Sequence, residues 1–271
     1  YDSKNDVLEV RNVLLKDGIV AGLGYIPDED EDAIDINDAT DCLLIPTVSD
    51  IGVSVNTHGD NPIKALSTLQ HAANRSGVHH MGLIPSEHTM IDTPEMAQTV
   101  HSYLEDNGIK GVSFFGCISK KNEPNELAEL ALMRDAGVSG FYVGRLIENP
   151  VILEQAFVYA DMVGLPLIIG PPTNMVQDDT HLNYGDVSFK IGVKGERIES
   201  ERRIVSFILE NIKNVVSVPV HFMALSAASS VELVHQAQCD GLAVTCGVSP
   251  LYLMATDSDL SDYDATLKVN P

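Results

Sequence analysis

With 271 residues, 44% of them hydrophobic, the chain is long enough for one large domain or for a barrel with a small appendage, and no apolar run approaches the roughly 18 residues of a membrane-spanning helix. Its 17 basic and 39 acidic residues give a formal net charge of −22, which argues against nucleic acid and anionic membrane as partners. No basic stretch leads into an apolar one at the start, so no signal peptide is expected; a start at Tyr1 rather than methionine suggests that leading residues lie outside this sequence.

Residues 1–45 read as a small β module. Its expected strands are VLEVRNVLL, GIVAGLGYI, AIDI and CLLI, broken by Asp17-Gly18 and by the acidic turn from Pro27 to Asp32, a solvated loop. Residues 46–271 change to apolar strands alternating with helical stretches, the pattern of βα units and a parallel sheet. The strand candidates are Val48 to Val55, His80 to Ile84, Gly111 to Gly116, Gly140 to Val143, Pro166 to Ile169, Pro219 to Leu225 and Gly241 to Val248. The helix candidates are Pro62 to Ser76, Thr93 to Asn107, Asn125 to Ala136, Val151 to Met162, Glu199 to Ile212 and Ser229 to Gln238, the last with Ser229-Ser230 as its expected cap. Seven strands fall short of the eight of a closed (β/α) barrel, and an eighth would follow Pro271. An open doubly wound sheet is the other reading of seven strands, but no G-x-G-x-x-G follows the first of them.

Three stretches carry a family likeness. Leu43 to Asp60, LLIPTVSDIGVSVNTHGD, has the frame of L-x-x-P-G-x-x-D-x-H-x-H. Gly185-Asp186-Val187-Ser188 through Gly192 to Glu201 and Arg203 is similar to G-x-x-S-x-x-L-G-x-x-G followed by A-E and an arginine. The last third, from Val220 to Pro271, is similar to H-x-x-H-x-S, S-V-E-L, G-x-x-V-T-x-x-V-x-P-H-H-L and L-x-D-Y-D-x-x-x-K-V-N-P. On these residues the chain resembles the dihydroorotases, cyclic-amide hydrolases of the amidohydrolase superfamily. The resemblance implies an α/β fold, a TIM-type (β/α)8 barrel with a small β-sandwich-like N-terminal module.

The resemblance also implies zinc-assisted hydrolysis, with metals held at the C-terminal ends of the strands by histidines and carboxylates, polarising an amide carbonyl and supplying hydroxide. At the positions that match those ligands the chain has Gly52 and Ser54 in the first barrel strand, Val143 near the fourth, Gly170 at the fifth and Ala224 in the sixth. Pro250-Leu251-Tyr252-Leu253 stands where the family has P-H-H-L. The substrate-gripping arginine and asparagine match Asn56 and Ser86, and Arg145 and His221 complete a vestigial pocket. Gly, Ser, Val and Ala cannot hold zinc, so no catalytic residue, metal or cofactor is expected.

His58 and His88, with Glu87 or Asp60, could form a relocated metal site on neighbouring loops, but ordinary polar loop residues are the default. His79 and His80 are adjacent and point to opposite faces of a strand, which is poor geometry for chelation. Arg145 with Tyr142 could meet an anion or pair with an acid; Lys120 or Lys121 as a modified ligand would stand alone; Ser226 and Ser229 lack the G-x-S-x-G of a nucleophile. Cys42, Cys117, Cys239 and Cys246 show no C-x-x-C spacing and read as reduced core residues of a cytoplasmic protein.

The expectation is a non-catalytic dihydroorotase-like protein of pyrimidine biosynthesis. The resemblance implies an oligomer and, as partner, the catalytic chains of aspartate carbamoyltransferase. The alternative is an active dihydroorotase or related metal-dependent cyclic amidohydrolase with an unusual site, converting dihydroorotate to carbamoyl aspartate, with zinc as its cofactor.

Overall fold

The computed structural model describes residues 8–24, 35–55, 62–86, 89–145, 149–171, 182–213 and 215–263. Asn56, His58, Asp60, Glu87, His88, the acidic turn from Pro27 to Asp32 and the final D-x-x-x-K-V-N-P from Asp264 lie outside the described residues. The chain divides into two units, Tyr1–Val48 and Ser49–Pro271.

In the first unit β1 (Val13–Lys16) and β2 (Ile19–Leu23) pair antiparallel, with a register shift between Leu14 and Leu15. Asp17 and Gly18 both take positive φ, 52° and 77°, the primed turn whose twist matches a two-residue hairpin. The strands expected at AIDI and CLLI are not formed among the described residues. Local turn chemistry takes that stretch: the Thr40 amide and hydroxyl donate to the Asp38 carboxylate at 3.0 and 2.6 Å, and the Cys42 amide donates to the Ala39 carbonyl.

The second unit is a seven-stranded sheet in sequential order: β3 (Val48–Val53), β4 (Val78–Leu83), β5 (Val112–Cys117), β6 (Gly140–Val143), β7 (Leu167–Ile169), β8 (Val220–Phe222) and β9 (Val244–Cys246). Neighbours from β4 to β9 pair parallel, so each connection is a crossover. These crossovers carry α1 (Ala65–Arg75), α2 (Pro94–Asp106), α3 (Leu130–Asp135), α4 (Pro150–Val163), α5 (Asp186–Ile191) and α6 (Ile198–Ile212), and α7 (Ala228–Cys239) joins β8 to β9. The sheet is curled. A Cβ placed on Gly52 in β3 would lie 3.0 Å from Cε of Met223, just past β8. Those strands are five spacings apart and would stand about 24 Å from each other in a flat sheet. A parallel sheet curled in this way is a partial (β/α) barrel.

Local signals explain the helices. Thr93 accepts from the Met96 amide at 3.3 Å ahead of Pro94, and Ala97, Val100 and Leu104 make the buried stripe of α2. Asn149 caps α4 in the same way, and Gly164, at φ 79°, closes it. In α6 the stripe is Ile204, Val205, Ile208, Leu209 and Ile212. These faces pack on Phe114, Phe141, Val143, Leu167, Ile169 and Phe222 of the sheet to form the main core.

Three expectations need correction. α3 begins at Leu130 rather than Asn125, because Leu127 forms a β-bridge with Ser119 instead. The cap of α7 falls on Ala227, not on Ser229-Ser230, whose hydroxyls have no hydrogen-bond partner among the described residues. The turn is held from another element: the buried carboxylate of Glu201 accepts from the Ser226 amide at 2.9 Å, the Ser226 hydroxyl at 2.8 Å and the Ala227 amide at 3.0 Å. Finally, of the four free cysteines only Cys117 is buried, while Cys42 and Cys239 are exposed. No helix among the described residues is long and apolar enough to cross a membrane.

Candidate functional site

Side chains alternate across a strand, and Phe141 and Val143 of β6 pack under the helices, so Tyr142 between them points to the other, inner face. The same parity puts Gly52 and Ser54, Gly82 and Ile84, Phe115, Ile168 and Gly170, His221 and Met223, and Thr245 on that face. In a parallel sheet of this kind the C-terminal strand ends are where ligands and substrates gather.

What gathers there is mostly hydrocarbon. Phe115, Ile168 and Met223 form a buried cluster, with Ile84, Tyr142 and Ala224 packed against it. Two of the glycines are matched to this filling. A side chain on Gly170 would overlap the Tyr142 hydroxyl, and one on Gly52 would press on Met223. Neither position has room for an imidazole while its neighbour stays.

The polar groups on this face are few and constrained. Nδ1 of His221 lies 2.8 Å from the Thr245 hydroxyl, on the adjacent strand in register with it, and burial pushes the imidazole pKa down. Burial, with the nearby Cys117, pushes the Tyr142 phenol up to about 12. Burial, with the carboxylate of Asp92, likewise raises the Cys117 thiol, whose Sγ lies 3.3 Å from Sδ of Met90. At neutral pH the face therefore offers a protonated phenol, a neutral imidazole and an unreactive thiol.

The expected site residues fall in different places. Gly52, Ser54, Gly170 and His221 do come to the inner face; Ala224 lies just beyond β8 in a left-handed conformation, φ 47°. Val143 does not: it is fully buried under the helices, so the carboxylate position expected there is not one that could face a metal. Ser86 is used structurally, donating to the Val55 carbonyl at 3.0 Å and accepting from the Thr89 amide at 3.1 Å. Arg145 is exposed just after β6. Lys120 pairs with Glu126 at 2.6 Å, and Asp50 accepts from the Gly52 amide at 2.9 Å. Sequence reasoning did not single out Phe115, Ile168 and Met223, although alternation along their strands marks them.

Among the described residues, the donors at the strand ends do not make a zinc site. Among the described residues no three His, Cys, Asp or Glu side chains are grouped to hold an ion, and the strand ends supply hydroxyls and one imidazole already engaged with Thr245.

No family model matches the chain. It is 28% identical over 240 residues to a dihydroorotase of Ehrlichia canis, an alignment covering 87% of this chain and 53% of that protein. It is 28% identical over 268 residues to a dihydroorotase of Desulforapulum autotrophicum, covering 98% and 63%. The chain thus spans between about half and two thirds of the curated relatives it matches. Among solved structures it superposes on L-hydantoinase (dihydropyrimidinase) from Arthrobacter aurescens with a TM-score of 0.70 at 19% identity, over 98% of this chain and 60% of that one. A D-hydantoinase gives 0.64 at 15% identity, over 92% and 56%. By sequence the chain is similar to proteins named dihydroorotase, and its fold is that of the hydantoinases.

Proposed function

We propose that the chain serves pyrimidine metabolism on a cyclic-amidohydrolase scaffold. The support is the likeness to proteins named dihydroorotase along nearly its whole length. Two finer readings divide on chemistry. The relatives' names favour hydrolysis of a cyclic amide such as dihydroorotate, and on that reading zinc must find its ligands outside the described inner face, with His58, Glu87 and His88 as the loop candidates. The second rests on the inner face alone, where Phe115, Ile168 and Met223 cluster with Tyr142 packed against them, and where Gly52 and Gly170 stand at positions that match histidine ligands. On that reading the barrel is non-catalytic and acts as a structural or regulatory partner of aspartate carbamoyltransferase.

The deciding measurement is turnover of dihydroorotate and of carbamoyl aspartate by the purified full chain with zinc supplied, alongside its metal content. Hydrolysis with about one or two tightly held zinc ions per chain establishes the first reading and removes the second. Background rates with no retained metal remove the first. Co-purification with aspartate carbamoyltransferase supports the second, and a protein with no affinity for that enzyme defeats it.

A further inference from the structure

We propose that a cavity beside α5 binds a small organic oxyanion. The cavity is a solvent-open hollow of about 520 Å³, within the range of small-molecule sites, and is lined by Tyr184, Ser188, Phe189, Lys194, Arg197 and Arg203 among others. It lies on the stretch with the glycine-rich motif, which the inner face of the sheet does not use.

Charge is the first argument. The chain has 39 acidic residues to 17 basic ones, so cations should be surrounded by carboxylates, yet three of them converge on this one cavity. Among the described residues none of the three forms an ion pair. Instead Arg197 lies over the Tyr184 ring, 4.9 Å from its centroid, and Arg203 spends only Nε on the Glu199 carbonyl at 3.3 Å. Two guanidinium groups keep donors in the forked geometry that suits phosphate or carboxylate.

Preorganisation is the second argument. The Tyr184 amide donates to the Glu196 carbonyl and the Glu196 amide to the Leu182 carbonyl, both at 2.8 Å, so the two walls are stitched together. The backbones run so close that a Cβ on Gly195 would fall 2.5 Å from Cα of Tyr184. On the third side Ser188 is buried and bound to both the amide and the carbonyl of Gly185, which fixes α5. The Tyr184 and Phe189 rings meet edge to face at 5.4 Å, yet are 50% and 70% exposed, leaving apolar surface for the organic part of a ligand. An oxyanion head group would meet the cations, and a flat or apolar body the rings.

Calorimetric titration of the full chain at low salt tests this, with phenyl phosphate, inorganic phosphate and benzoate as probes. One equivalent of phenyl phosphate binds, more tightly than inorganic phosphate, and the affinity falls as salt is added. Benzoate binding in its place supports the same site with carboxylate as head group. The double variant R197Q/R203Q loses about tenfold or more in affinity while keeping its circular dichroism spectrum, and K194Q loses less. The control R75Q, on α1, binds as the parent does. No binding by any probe at millimolar concentration, or equal binding by R197Q/R203Q, overturns the proposal.

Discussion

On the helix side of the sheet, Phe141, Val143, Leu167, Ile169 and Phe222 are fully buried in one core with the apolar stripes of the helices. On the inner side the sheet and its strand ends carry Gly52, Ser54, Tyr142, Ile168, Gly170 and His221, a mixture of absent, polar and bulky side chains. The first face is organised by the hydrophobic effect alone, each such residue contributing about 1.5–3 kcal/mol. The second is organised by mutual exclusion: Tyr142 stands where a side chain at 170 would stand, and Met223 presses on the place of one at 52. A strand can keep its place in the fold through one face while the other face changes its chemistry.

The comparison is most exposed to substitution of Phe141. Phe141→Ala should destabilise the protein by about 3–5 kcal/mol in chemical denaturation, because it opens a cavity beneath the helices. A loss below about 1 kcal/mol would mean that the helix-facing layer is not the main core. Gly170→His, which puts an imidazole where the dihydroorotase pattern has one, should cost about 1–3 kcal/mol through overlap with Tyr142. In the double variant with Tyr142→Ala the two effects should couple by about 1 kcal/mol or more, and simple additivity would show that the two positions do not compete for one space.

The smallest effect is a pH dependence. Burial lowers the His221 pKa from its ordinary 6.5, so the unfolded chain binds more protons than the folded one between the two values. This group's contribution to stability is therefore complete above about pH 6.5 and is lost as pH falls through the folded value. His221→Gln should flatten the fall in melting temperature as pH is lowered from about 7.5 to about 5, and an unchanged slope would place the imidazole in solvent.

Apolar runs bounded by Gly and Pro made the strand positions and most helices readable without coordinates. Val143 shows where that legibility stops. A motif alignment gives it a ligand's position, yet the alternation Phe141-Tyr142-Val143 turns it towards the helices, and the physical period outranks the motif. The short α5 escapes a helical reading because its six residues lie between glycines. The start of α7 escapes for a different reason. Its anchor, Glu201, is more than twenty residues away in sequence, and no local capping rule contains it. The inner-face filling is a tertiary fact of the same kind, since Met223 meets Gly52 only because the sheet curls.

Glu201 has a mechanical meaning too. With three hydrogen bonds on one carboxylate, Ser226 and Ala227 are tethered to α6, a helix that precedes their own strand. The segment leaving β8 therefore has two masters: its strand, through the sheet, and α6, through a single acid, with the left-handed Ala224 as the joint between them. The cavity with Arg197 and Arg203 opens at the N-terminal end of that same helix. Glu201 lies between Arg197 and Arg203 in sequence, so the tether of the β8 segment and the cations of the cavity share the first turns of one helix.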